Sequence, residues 1–205
     1  VEAHFMPQKV DAFAKSVLQR YGVRWPFVLG LGTLQPRKNF ARLIRAYNLL
    51  RERHHLPHQL VIAGGKGWLY EEIEETIKAL GLEDDVLLAG FVADADLPTL
   101  YSAADLLAFP SLYEGFGIPV LEAMACGTPV VTSSVSSLPE VAGDAALLIP
   151  PQDVEALAEA IWRIIDDRSV RNDLRRRGFE QVKKFTWRRT AKRLLDIYVC
   201  CSFLN

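Results

Sequence analysis

The sequence predicts an α/β fold, a mostly parallel sheet with helices on both faces. Three observations predict it. Short, uninterrupted apolar runs recur along the chain, as strands buried on both faces require. Glycine-containing turns and stretches with apolar residues at helical spacing separate these runs. With 205 residues at 50% hydrophobic, the chain can bury one sizeable core.

Residues 1–10 show no regular pattern and form an irregular lead-in. Asp11 is placed to cap a short helix carrying Phe13, Val17 and Leu18, which ends near Gly22. Residues 26–31 make the first core strand and residues 32–39 its turn. The helix that follows places Phe40, Leu43, Ile44, Tyr47 and Leu50 on one stripe. Residues 59–64 are the second strand, and Lys66 in the next turn is open to two readings, a ligand contact or an ordinary exposed turn. Leu69, Ile73, Ile77 and Leu80 stripe a second helix that Gly81 stops. Residues 85–92 supply the third strand and its exit, and Asp96, Leu97, Leu100 and Tyr101 a short helix. Residues 105–109 are the fourth strand, with Asp105 expected to satisfy local backbone donors. A glycine-rich turn and a short helix come next, for which Pro119 suits the first turn. Residues 128–132 are the fifth strand, and the serines after it read as turns and caps. Residues 145–149 form a further strand, and Val154, Leu157, Ile161 and Ile164 stripe an amphipathic helix. Repeated strand–helix units with short turns make a Rossmann-like, three-layer sandwich.

Composition narrows the function. A formal charge of −1 gives no global reason to expect nucleic acid. The three cysteines make no metal spacing and no disulfide framework, and the four histidines lie outside the glycine-rich turns, so no metal site is expected. No run approaches the roughly 18 apolar residues of a membrane span. The marked charge bias lies between Arg168 and Arg193, where eleven Lys or Arg face only Asp173 and Glu180, a net of +9. Basic helices attract anionic membranes. The spacing of Leu174, Phe179, Val182, Phe185, Trp187, Leu194, Leu195 and Tyr198 instead favours helices packed on a core with the bases in water. Peripheral contact with an anionic membrane stays open.

Residues 109–130 organise the rest. Gly115 and Gly117 let backbone approach a ligand, and the helix start behind them offers unpaired N–H groups to an anion. Glu114 lies just before that helix and Glu122 inside it, two carboxylates able to accept hydroxyl hydrogen bonds on either side of the anion. The plainer alternatives are a dipole-favoured charge for Glu114 and an ordinary surface position for Glu122. At the first turn, a strand, a glycine and a helix put amides and a basic side chain near phosphate, with Lys38 the first candidate and Arg37 the next. Gly30 and Gly32 lack the third glycine of a dinucleotide fingerprint, which argues against a dehydrogenase.

These residues carry a resemblance. The stretch is similar to the signature of the retaining glycosyltransferases of family 4, which keep two glutamates eight positions apart around a glycine-rich turn, here Glu114 and Glu122. The family's first turn usually reads Gly-Arg-Leu, three residues, then Lys-Gly. Here Thr33 stands for the arginine and Asn39 for the last glycine, and Pro36-Arg37-Lys38-Asn39 resembles the mannosyltransferase-like branch.

The resemblance implies the C-terminal, donor-binding half of a GT-B enzyme. It divides the chain into a lead-in and interdomain segment (1–24), a nucleotide-sugar domain (25–185) and a helix crossing toward a missing N-terminal, acceptor-binding domain (186–205), with apolar surface exposed near Trp187 and Tyr198. It implies a hexose donor of the GDP-mannose or UDP-glucose type, transferred with retention to a glycan or lipid-linked acceptor. Donor contacts would come from Gly32, Thr33, Arg37, Lys38, Val92, Glu114, Gly115, Phe116, Gly117, Ile118 and Glu122. Glu114 and Lys38 would be catalytic, Glu114 on sugar hydroxyls and Lys38 on the diphosphate, while Glu122 would take the ribose and the Val92 segment would lie beside the base. No cofactor and no divalent metal are expected, the location is cytoplasmic or at the cytoplasmic membrane face, and this half alone is expected to transfer little. A nucleotide-sugar epimerase of the same architecture and a non-catalytic binding module are the alternatives. Glycoside hydrolysis by the two carboxylates fits poorly with an anion site between them.

Overall fold

A computed structural model describes residue 2 and residues 4–202. The strands are β1 (Phe27–Leu31), β2 (Gln59–Ala63), β3 (Val86–Gly90), β4 (Leu106–Phe109), β5 (Val130–Ser133) and β6 (Ala146–Ile149). The helices are α1 (Ala12–Arg20), α2 (Phe40–His54), α3 (Glu71–Ala79), α4 (Leu97–Ala103), α5 (Ile118–Ala125), α6 (Leu138–Ala142), α7 (Val154–Asp166), α8 (Arg168–Val182) and α9 (Trp187–Ser202). All neighbouring strands pair in parallel, in the order β3-β2-β1-β4-β5-β6. The three-layer α/β sandwich expected from the apolar runs is the observed fold.

Strand pleating sends alternate residues to opposite layers. Phe27 and Leu29 join a core with residues of α1, α4, α5 and α6, whereas Val28 joins a second core with residues of α2, α3 and α7. From β1 the chain winds outward through β2 to β3, then returns through α4 to place β4 on the other side of β1. The connections therefore diverge between β1 and β4. In an open parallel sheet, the crevice at the carboxyl ends of two such strands is where ligands bind.

Backbones approach closely at this edge. Gly64, after β2, has φ +150°, and a Cβ there would lie 2.0 Å from the Gly32 carbonyl oxygen. The Gly32 amide donates to Ala63, and the Leu34 amide to Gly65, so the turns after β1 and β2 are hydrogen-bonded together.

Several expectations are corrected. Phe13 points to solvent at 63% exposure, because the buried face of α1 is centred on Ala14, Val17 and Leu18 and Phe13 lies about a quarter turn away from it. α3 begins only at Glu71, and Leu69, at φ +52° and exposed, belongs to the loop before it. Asp105 makes distant contacts instead of local ones, lying 3.1 Å from His58 Nε2 and 3.5 Å from Arg171 Nη1, and so links the starts of β2 and β4 to α8. Lys66 pairs with Glu74 at 2.9 Å. In the basic tail Leu174 is buried and Val182 and Phe185 pack partly on the core, but along α9 Trp187, Leu194, Leu195 and Tyr198 are exposed. No helix among the described residues is long and apolar enough to cross a membrane.

The two glycines after β2 separate backbone approach from mere composition. Gly64→Ala is expected to cost at least ~3 kcal/mol or prevent folding, because its Cβ meets fixed backbone. Gly65→Ala, with nothing within 4 Å of its added Cβ, is expected to change stability by less than ~1 kcal/mol. Urea unfolding of the two variants checks the contrast.

Candidate functional site

The loops after β1 and β4 meet in the crevice and are stapled to each other. Residues Pro36–Lys38 form one 3-10 turn, and Asn39 then adopts a left-handed conformation at φ +63°. Glycine and asparagine tolerate that region, so Asn39 can stand where a glycine would otherwise serve. It also does what glycine cannot, its amide donating to the carbonyls of Pro110 (2.9 Å) and Pro151 (2.7 Å). The Leu112 amide donates to the Arg37 carbonyl at 2.8 Å.

Lys38 is directed into the crevice by this turn. Its stem lies over Gly32, where a Cβ would come within 2.8 Å of Lys38 Cε, and its ammonium sits 4.7 Å above the Phe109 ring. Although only 8% of the residue is exposed, its charge is matched. Lys38 Nζ contacts Glu114 Oε1 at 2.6 Å, and Arg37 Nη1 contacts Glu114 Oε2 at 2.8 Å. One carboxylate therefore bridges two cations. Burial opposes ionisation of Glu114, but the hydrogen bonds from Lys38 and Arg37 outweigh it and hold the carboxyl below its ordinary range.

The Glu114 backbone is also held. Its amide donates to Ser136 Oγ at 3.1 Å, and the Ser137 hydroxyl donates between the carbonyls of Glu114 (2.9 Å) and Phe116 (2.8 Å). The serines that read only as turn formers thus set the loop ahead of α5. Gly117 starts that helix at φ +108°, where a Cβ would strike the Leu138 side chain at 2.8 Å. Gly115 faces open space. The amides of Gly115, Phe116 and Gly117 make no hydrogen bond to another described residue. Donors of this kind, held by loop geometry beside two cations, suit an anion.

Glu122 lies one turn into α5 and lines a cleft of about 490 Å³ with Phe116, Ile118, Asp94 and the start of α9. The wholly buried Tyr101 donates its hydroxyl to Glu122 Oε2 at 2.9 Å, fixing the carboxylate's orientation. Burial lifts the Glu122 carboxyl above its ordinary range against the Tyr101 hydrogen bond, and the charge of Asp94 adds to the rise. The sequence places Tyr101 on a short helix and signals no role for it at the site. Its role required knowing that α4 packs beside α5.

The remaining candidates divide. Gly32 lies under Lys38, and Thr33 is exposed beside it. The Val92 side chain is buried in the core, so only its backbone can meet a ligand, whereas its neighbour Phe91 is 75% exposed. Among the described residues no three His, Cys, Asp or Glu side chains stand together as a metal site.

Comparison with known proteins identifies the family and the fold. A family profile described as "Glycosyl transferases group 1" matches residues 23–181. O-antigen chain mannosyltransferase B of Escherichia coli is 41% identical over 183 residues, 89% of this chain and 48% of that protein. Among solved structures, sucrose-phosphate synthase from Thermosynechococcus elongatus is 32% identical with a TM-score of 0.80, covering 98% of this chain and 51% of that one. Anabaena HepE in complex with UDP and glucose is 25% identical with a TM-score of 0.83, covering 97% and 55%. The chain thus spans about half the length of these proteins.

The bridged carboxylate makes a pH prediction. Since Glu114 is held below its ordinary value of 4.5, it adds stability above that value and loses it as pH falls through its folded value. Wild type is therefore expected to lose more stability than Glu114→Gln on going from about pH 5 to about pH 3. Equal losses in urea titrations of the two proteins would mean that the bridge does not favour the ionised carboxylate.

Proposed function

The chain belongs to the group 1 glycosyl transferases, with the sandwich of their GT-B C-terminal half, and from that premise we propose that it is the donor-binding half of a retaining hexosyltransferase. The observation that carries the proposal is the meeting of Lys38, Arg37 and the Gly115, Phe116 and Gly117 amides around Glu114 in the switch-point crevice. Transfer from a nucleotide sugar breaks the anomeric bond and leaves negative charge on the diphosphate. Groups already aimed at that charge lower the barrier because they need no reorganisation as it develops. Lys38 and Arg37 supply cations, the loop amides supply dipoles, and no divalent ion is required for the task.

Glu114 then has two partners in turn. Without donor, its carboxylate is the counter-ion of Lys38 and Arg37. When a diphosphate enters, it replaces the carboxylate beside the cations, and Glu114 is released to accept hydrogen bonds from sugar hydroxyls. Glu122, oriented by Tyr101, accepts from the ribose hydroxyls, and the Val92 backbone borders the base. This order puts phosphate at the β1 turn and nucleoside toward the cleft.

The acceptor site belongs to a further domain. The lead-in packs against α4, with Phe5 6.1 Å from the Tyr101 ring and the Gln8 amide donating to Ser102 Oγ at 3.0 Å. The exposed apolar residues of α9 are read as the surface that reaches that domain. Mannose is the favoured hexose, on the Pro-Arg-Lys-Asn turn and the 41% identity to an O-antigen mannosyltransferase.

Calorimetric titration with nucleoside diphosphates and their sugar esters tests the reading. Lys38→Ala is expected to weaken binding of both forms by about tenfold or more, roughly the ~1.5–3 kcal/mol of a charge-assisted hydrogen bond. Glu114→Gln frees the cations, so the free diphosphate should bind at least as tightly as to wild type while the sugar nucleotide loses affinity. Equal weakening of both forms by Glu114→Gln would sink the exchange of partners.

A further inference from the structure

The loop after β3 carries two aspartates with different duties. Asp96 is buried, accepting from Arg20 at 2.8 Å and from the Tyr21 hydroxyl at 2.7 Å. The Tyr21 oxygen accepts in turn from the Ala93 amide at 3.2 Å, and the Asp96 amide donates to the Ala93 carbonyl at 2.8 Å. These bonds pin the loop to α1 from both sides of Asp94. Asp94 itself makes no hydrogen bond or ion pair with another described residue, and it lines the same cleft as Glu122. A rigidly held loop thus presents an unpaired carboxylate to the cleft.

The lining of that cleft states what it accepts. Its walls are apolar, with Phe116, Ile118, Leu97 and Leu121 among them, and its charges are the carboxylates of Glu2, Asp94 and Glu122. His4 pairs with Glu2 at 3.3 Å, and among the described residues no Lys or Arg lines the cleft. A phosphate would be repelled here and attracted to Lys38 and Arg37. What fits is the flat, apolar body of a nucleoside that offers hydrogen-bond donors. If Glu122 takes the ribose hydroxyls, Asp94 is the acceptor left for the base.

Bases differ in what they offer a carboxylate. Guanine presents its N1–H and its exocyclic N2–H side by side, two parallel donors that two carboxylate oxygens accept as a fork. Uracil presents a single N3–H between two carbonyl oxygens, which a carboxylate repels. Adenine and cytosine place an acceptor next to their amino group. We propose that Asp94 reads guanine, so that the donor of this site is a GDP-sugar. This rests on the donor-site reading above and deepens it.

The test is calorimetric titration of the chain with GDP, UDP and inosine diphosphate, which keeps N1–H but lacks the 2-amino group. GDP is expected to bind about tenfold or more tightly than UDP, with inosine diphosphate between them, as loss of each donor in a charge-assisted fork predicts. Asp94→Asn should lower GDP affinity by about tenfold and leave UDP within about twofold. UDP binding as tightly as GDP, or Asp94→Asn weakening both alike or neither, overturns the assignment and leaves the donor site standing. Failure of every nucleotide to bind wild type overturns the donor site itself, and the guanine reading with it.

Discussion

A single carboxylate held between two cations governs the site. Lys38 is almost fully buried, and an ammonium taken out of water without a partner costs several kcal/mol. Glu114 provides the partner and shares itself with Arg37. The arrangement balances the charges of these side chains, and on the proposed donor reading it holds the cations where an incoming diphosphate would need them. It also carries a penalty, since the diphosphate must compete with a carboxylate already in place. A site with Lys38 and Arg37 alone would bind anions more readily and less selectively. With Glu114 present, an anion that also brings sugar hydroxyls compensates the displaced carboxylate, and a bare phosphate does not. On the proposed donor reading, that contact would favour the complete donor over its product.

That bridge exists only because two loops from non-consecutive strands are brought into register. The chain's return across β1 sets β4 beside it, and the turns at their carboxyl ends then face each other. Close approach does the rest. Gly64 leaves no room for a side chain against Gly32, Gly32 leaves room for the lysine stem, and Gly117 sits against Leu138. Asn39 then ties the β1 turn to the loops after β4 and β6 through two carbonyls. The geometry at Lys38 is thus fixed by backbone contacts on three sides, and little of its orientation depends on the flexible side chain itself.

The fold was largely legible in the sequence because its signals are local. Apolar runs at β1, β2, β4 and β5 and the stripe through Phe40, Leu43, Ile44, Tyr47 and Leu50 each declare burial within a few residues. Errors fell where burial is decided from elsewhere. Phe13 and Leu69 match a helical period yet face solvent, and α9 keeps the period while Trp187, Leu194, Leu195 and Tyr198 stay exposed. At the site, residue types and spacing marked Lys38, Glu114 and Glu122. What they could not reveal were the partners, because Asp105 with His58, Tyr101 with Glu122, and Ser137 with the Glu114 carbonyl join positions far apart in sequence. Asn39 is intermediate. It stands where the resembled family's turn has glycine, but its left-handed backbone and its two carbonyl contacts needed the structure.

The β1 turn and the cleft beside α5 carry opposite charge, and on the proposed donor reading this polarity would orient a nucleotide sugar before any detailed contact forms. At the β1 turn stand Lys38 and Arg37, and in the cleft beside α5 stand Glu122 and Asp94, with no lysine or arginine among the described residues lining it. A nucleotide sugar entering backwards would set its diphosphate against carboxylates and a base against cations, so one pose is favoured at long range as well as at contact. Tyr101 is buried by core packing and reaches the cleft only through its hydroxyl. Two carboxylates sharing a low-dielectric cleft repel each other, and the Tyr101 hydroxyl on Glu122 offsets part of that cost. Hydroxyl and amine donors of a bound nucleoside would offset the remainder.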